Sequence, residues 1–136
     1  MSEKELKENF KKKNINPKFL GKHLIQKKVC MQKDIGVNNN LFGGNLLAWI
    51  DESAAAFASE IIGFRPIVTL KISEVLFKSP VKLHDVINID GTVTSIGNSS
   101  IKLLIEVINT HTEKIVCTCD LVFVHINPDT MKSELI

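Results

Sequence analysis

The spacing of apolar residues changes character twice along the chain. Between Glu3 and Lys13 the residues are mostly Lys and Glu, with Leu6 and Phe10 apolar at i, i+4, which predicts a short surface helix or a frayed arm. Asn14-Ile15-Asn16-Pro17 interrupts it, and His23 to Met31 reads as a first strand followed by a turn-rich loop over Gln32 to Asn40. From Asn45 to Ile62 the apolar residues fall almost all round the axis, which predicts a core helix of roughly 27 Å closed by Gly63 and Pro66. After Ile67 the period falls to two. Ile67 to Phe77 alternates through Val68, Leu70 and Ile72, then Ser79-Pro80-Val81 bends the chain. Val86 to Ile96 places Ile87, Ile89 and Val93 on one face, and Gly97-Asn98-Ser99-Ser100 turns into Ile101 to Asn109. A second hairpin at Thr110 to Glu113 leads to Lys114 to Ile126, with Ile115, Cys117, Cys119, Leu121 and Phe123 on one side.

This order predicts an α+β domain in which a strand and a long buried helix are followed by four strands in a meander. A twisted antiparallel sheet wrapping the helix buries such a pattern. The expected boundaries are an N-terminal arm or short helix over 1–22, the domain over 23–126 and a loose tail over 127–136.

Composition narrows the partners. With 136 residues, 44% of them hydrophobic, the chain makes one packed domain. A net charge of +2 without a basic, aromatic-rich stretch gives no reason to expect nucleic acid. No apolar run approaches the roughly 20 residues of a membrane span, and the charged start does not resemble a signal peptide, so a cytoplasmic protein without a membrane partner is expected. Cys30, Cys117 and Cys119 form neither a disulfide framework nor a CxxC metal pair. His23, His84, His111 and His125 are scattered, without the i, i+4 spacing of a metal-binding helix. No metal is expected.

The candidate chemistry lies between Asn38 and Asp51. A polar turn enters Gly43-Gly44 and opens the apolar helix, whose first N–H groups can hold a developing oxyanion. Asp51 then places a carboxylate on a helix that otherwise packs. Its neighbour Glu52 is the rival, about 100° away around the axis. Asp51 shares a stripe with Leu47, Ala54, Ala55 and Ala58, which predicts burial and, with it, a more basic carboxylate. Trp49 and Phe57 read as core or as a tunnel wall, and Lys71 and Glu74 as edge or interface charges.

Five pieces in order, Leu41-Phe42-Gly43-Gly44, the helix with Asp51 eight residues after the first glycine, Ile67-Val68-Thr69, Phe77-Lys78-Ser79-Pro80 and Gly97-Asn98-Ser99-Ser100-Ile101, resemble the bacterial acyl-CoA thioesterases of the hotdog-fold superfamily. The resemblance runs from about Leu24 to Val124. It implies a sheet wrapped around a central helix, protomers joined through a continuous sheet, and dimers gathered into a trimer of dimers. It also implies hydrolysis of an acyl-CoA without a separate cofactor, coenzyme A being part of the substrate. Asp51 falls on the family's catalytic Asp, Phe42-Gly43-Gly44 on its oxyanion turn, Asn38 on a polar Asn or His position and Thr69 on a threonine suspected of positioning water. Gly97, Asn98, Ser99 and Ser100 match a segment near coenzyme A, and Phe42, Phe77, Lys78 and Pro80 are expected to bind substrate. Two departures stand out. Gly36 and Asn39 stand where the family usually has Asn and Gly, and Asn98 replaces a common Arg, which leaves Lys78, Lys82 or Lys102 to meet the phosphates.

Helix geometry adds a constraint of its own. Asp51 lies seven residues beyond Gly44, about 10 Å along the axis, whereas a reacting carbon sits within roughly 3 Å of both donor and base. A two-fold dimer in which one helix start faces the partner's Asp51 resolves this. The alternative to an enzyme is a hotdog module that binds acyl-CoA without turnover.

Overall fold

The computed structural model describes residues 1–136. Its elements are α1 (Glu3–Lys12), β1 (Lys22–Val29), α2 (Gly43–Ile61), β2 (Ile67–Phe77), β3 (Val86–Ile96), β4 (Ser100–Asn109) and β5 (Ile115–His125), with 3-10 turns at Pro17–Phe19 and Gln32–Asp34. The sheet has five antiparallel strands in the order β1-β3-β4-β5-β2, and α2 lies across one face of it. No helix is long and apolar enough to cross a membrane.

The expected four-strand meander is corrected here. Only β3, β4 and β5 follow one another through tight turns, while β2 lies outside β5 as a free edge. The reason is the link between β2 and β3. Hairpin loops close in about two to five residues, whereas residues 78–85 form a longer segment containing Pro80. That segment crosses the end of the sheet, pinned by Lys78 N–H to the Val116 carbonyl, by Leu41 N–H to the Val81 carbonyl and by His84 N–H to the Cys30 carbonyl.

The core follows the period-two pattern. Ile87, Ile89 and Val93 of β3, Ile101, Leu103, Ile105 and Val107 of β4, and Cys117, Cys119, Leu121 and Phe123 of β5 are buried against α2, whereas Ile115 is exposed at the strand start. From α2 they meet Leu46, Ile50, Ala54, Phe57, Ala58 and Ile61. Gly91 permits this approach, because a Cβ there would stand 3.3 Å from Phe57 and 3.2 Å from Ile25. The opposite stripe of α2, Gly44, Ala48, Glu52, Ala56 and Glu60, is exposed and carries two glutamates, so the helix expected to be buried all round has one solvent-facing side. The helix stops as expected. Gly63 takes a φ of +74°, Phe64 N–H reaches the Ser59 carbonyl at 2.7 Å and Gly63 N–H the Glu60 carbonyl at 3.2 Å, a Schellman pattern.

Both termini are docked. Leu6 and Phe10 of α1 join the core, and the Asn9 amide donates to the Ile96 carbonyl. The loose tail is corrected too: Ser133 bridges to Ile126, Glu134 N–H bonds the His125 carbonyl, and Ile136 N–H bonds the Asn98 carbonyl. Backbone groups left over at the sheet end thus find partners in the tail.

Candidate functional site

Phe42 occupies the N-cap of α2, and its side chain offers the helix start no hydrogen bond. Ser, Thr, Asp or Asn at that position usually binds the second or third N–H and stabilises a helix by about 1 kcal/mol. Here the Phe42 carbonyl accepts from Asn45 and Leu46 N–H at 3.0 and 3.1 Å, while Gly43 and Gly44 N–H have no acceptor within the protein. Two backbone donors therefore stand free at the positive end of a helix. The turn is held from behind. Phe42 N–H and the Asn45 amide both donate to the Asp34 carbonyl, at 3.0 and 3.2 Å, and Asp34 is itself buried with its carboxylate accepting Met31 N–H.

In front of these donors lies a groove of ≈ 540 Å³ that combines the start of α2, the loop before it and the end of β2. Six of the residues selected from sequence line it: Asn38, Phe42, Gly43, Phe77, Lys78 and Pro80. Its floor is apolar and buried, formed by Leu46, Val81 and Val116. Gly44 stands beside it, exposed, with the Phe42 ring so close that a Cβ would fall 2.7 Å from Cε2. Gly36 and Ser79, which the motif comparison quoted without giving them a role, line the groove as well, whereas Val81 and Val116 were not chosen as site residues and are brought in by the crossing segment and β5, which no local pattern reveals.

Asp51 is half-buried, and Thr69 Oγ1 on β2 donates to its Oδ1 at 2.8 Å. The expected burial of Asp51 changes. Ala54 and Ala58 are buried, but Leu47, Asp51 and Ala55 form a half-covered rim beside β2, because β2 is the last strand and nothing in the protomer lies beyond it. Thr69 is bonded to the carboxylate itself, fixing its orientation. Glu52 is exposed on the other side of the helix.

The structure does not gather every selected residue in one protomer. Asp51 and Thr69 lie toward the start of β2, level with Phe123 on β5, whereas Phe77 pairs with Cys117 at the far end. The Gly97–Ser100 turn also sits at the Thr69 end, since Ser100 pairs with Val124. Gly97 N–H bonds the Ser100 carbonyl, and the Asn98 and Ser99 carbonyls accept from Ile136 and His125. Of the three lysines considered for the phosphates, Lys78 lines the groove, Lys82 is exposed in the crossing segment and Lys102 lies on β4.

Other nucleophiles are poor. Burial pushes the Cys117 thiol up to about 11, and burial together with Cys117 and Asp120 pushes Cys119 up to about 12. Burial, with Asp34 and Asp85 adding to it, also raises Cys30. Without thiolate these groups do not attack carbonyls. His23 and His125 are engaged with the Leu20 and Pro66 carbonyls, and no histidine meets Asp51.

Comparison with known proteins gives a consistent result. Residues 38–116 match the family model described as Thioesterase superfamily. An uncharacterized acyl-CoA thioester hydrolase of Buchnera aphidicola subsp. Schizaphis graminum is 32% identical over 84 residues, covering 62% of this chain and 62% of that relative's length. The hexameric thioesterase y2039 from Yersinia pestis superposes with a TM-score of 0.77 at 26% identity, over 84% of this chain and 94% of the other. An acyl-CoA hydrolase from Staphylococcus aureus in complex with butyryl coenzyme A, coenzyme A and coenzyme A disulfide gives a TM-score of 0.72 at 25% identity, over 81% and 66% of the two chains.

Proposed function

The chain belongs to the Thioesterase superfamily, and on that premise we propose that it hydrolyses an acyl-CoA thioester to a free carboxylic acid and coenzyme A. The observation that carries this reading is the pair of unpartnered Gly43 and Gly44 N–H groups at the start of α2, with Gly43 itself lining an apolar-floored groove. They stand on a helix whose only half-buried carboxylate, Asp51, is held by Thr69. In this mechanism the carbonyl oxygen accepts from the helix start, where removal of one such donor typically costs about 3 kcal/mol of transition-state stabilisation. Asp51 activates the attack on the carbonyl carbon.

The donors and Asp51 come from different protomers. Along β2 the Thr69 and Phe77 ends are roughly 26 Å apart, and the free edge between them exposes Leu70, Ile72 and Leu76. An antiparallel pairing of two β2 edges about a two-fold axis buries these residues and sets each Thr69 end against the partner's Phe77 end. Each Asp51 then approaches the partner's groove, giving two sites per dimer. The Gly97–Ser100 turn travels with the Thr69 end toward the same shared site, which suits its proposed place beside coenzyme A. Lys78 supplies a cation at the groove. The hexameric relatives support a trimer of such dimers, and three unpaired cysteines suit a reducing cytoplasm.

The test is a panel of acyl-CoAs with release of free thiol followed over time. Wild type turns over at least one substrate, Asp51→Asn abolishes turnover with the oligomer intact, and Glu52→Gln retains it. Binding of acyl-CoA without thiol release would return the non-catalytic reading.

A further inference from the structure

Two aromatic rings stand over the glycine pair that opens α2. Phe77 Cζ would lie 3.4 Å from a Cβ on Gly43, and the Phe42 ring would lie 2.7 Å from a Cβ on Gly44 and 3.3 Å from one on Gly36. Both rings line the groove, and both are about half exposed, at 55% each. The Phe42 backbone cannot adjust, since its N–H is held by the Asp34 carbonyl and its own carbonyl receives Asn45 and Leu46. Its ring therefore occupies a seat that a side chain at 44 would force it to leave and one at 36 would crowd.

The seat is next to the free amides and not at the remote end of the groove. A carbonyl oxygen bound by Gly43 N–H has its carbon one bond away and the first acyl carbon two bonds away, in the neighbourhood of Phe77, which a Cβ on Gly43 would meet at 3.4 Å, and of the Phe42 ring beside Gly44. Bulk at the first carbons is felt here. We propose that Phe42, with Phe77 opposite, is a specificity-determining residue that admits linear acyl groups and rejects those branched or aromatic at the carbon next to the thioester. The proposal rests on the thioesterase reading, and it adds which feature of the acyl group the site distinguishes.

Trimming the ring opens space at that carbon. Shape differences of one methylene or more are worth about tenfold or above in kcat/KM. For Phe42→Ala and Phe42→Leu we expect the ratio of kcat/KM for isobutyryl-CoA or benzoyl-CoA over butyryl-CoA to rise by about tenfold or more for Ala and less for Leu. Gly44→Ala, which keeps the N–H but unseats the ring, changes the same ratio in the wild-type background and leaves it unchanged in the Phe42→Ala background. A structural role alone lowers all substrates together. An unchanged ratio in both Phe42 variants, or equal loss on every substrate, overturns the proposal. If the wild type hydrolyses no thioester at all, it is the thioesterase reading that fails, and this inference with it.

Discussion

Gly43→Pro removes a single proposed oxyanion donor while leaving the fold nothing to lose. Proline at the first helical position is well tolerated, because its missing N–H belongs to the unpaired set and its fixed φ suits the helix. The residue before a proline must be extended, and Phe42 already has φ −67° and ψ 129°. Gly43 N–H donates to nothing in the protein, so no hydrogen bond is broken. A side-chain carbon at this position meets Phe77 at 3.4 Å, an ordinary contact. Replacing glycine by proline also restricts the unfolded chain, a gain of up to about 1 kcal/mol, or about 3 °C in Tm. Catalysis moves the other way. Losing one such donor costs about 3 kcal/mol in the transition state, or about 10²-fold in kcat. The assay is thiol release from the best acyl-CoA of the panel beside thermal melting, with Gly43→Ala as the control that keeps the N–H. Melting at or above the wild-type temperature with kcat down about a hundredfold is expected. Wild-type kcat in the proline variant would refute the oxyanion role of this amide.

Three further outcomes follow from particular contacts. Thr69→Val deletes the hydrogen bond that orients Asp51 and is expected to lower kcat about tenfold with KM little changed, read from full saturation curves. Gly91→Ala puts a methyl 3.2 Å from Ile25 and 3.3 Å from Phe57 and should destabilise by about 1–3 kcal/mol in urea unfolding. Asp85 accepts Lys82 N–H and the Asn109 amide, and the Lys82 N–H above all holds its carboxyl below the usual range. A lowered pKa contributes stability that is present above the unfolded value of about 3.9 and lost as pH falls through the folded value. Asp85→Ala therefore flattens the acid limb of the stability curve below about pH 4 and, by stripping the fully buried Asn109 of a partner, costs about 1–3 kcal/mol at neutral pH.

Local pattern carried much of this architecture. The period-two runs located β3, β4 and β5 and their inward faces, and Gly63 marked the end of α2, because each depends on residues adjacent in the chain. The position of β2 was not legible. Its alternation matches any strand, and only the length of segment 78–85 and its bonds to residues 30–41 send it to the far edge. The same gap affected the site. Asn38, Phe42, Gly43, Phe77, Lys78 and Pro80 were found from motif order and meet in one groove, while Val81 and Val116 come from elements whose pairing had to be seen. Asp51, and not Glu52, is the carboxylate that meets the sheet, but its burial was overestimated, because β2 is an edge strand and nothing in the protomer lies beyond it.

The central claim is that one protomer's helix start and its partner's Asp51 complete each site, and subunit complementation addresses it directly. Gly43→Pro chains, slowed about a hundredfold, and inactive Asp51→Asn chains are mixed, dissociated and reassembled, and exchange is verified by native mass spectrometry. Random pairing makes half the dimers mixed, each with one intact site of two, so about a quarter of the wild-type rate is expected. A mixture no more active than its parents, with exchange complete, would contradict the shared site.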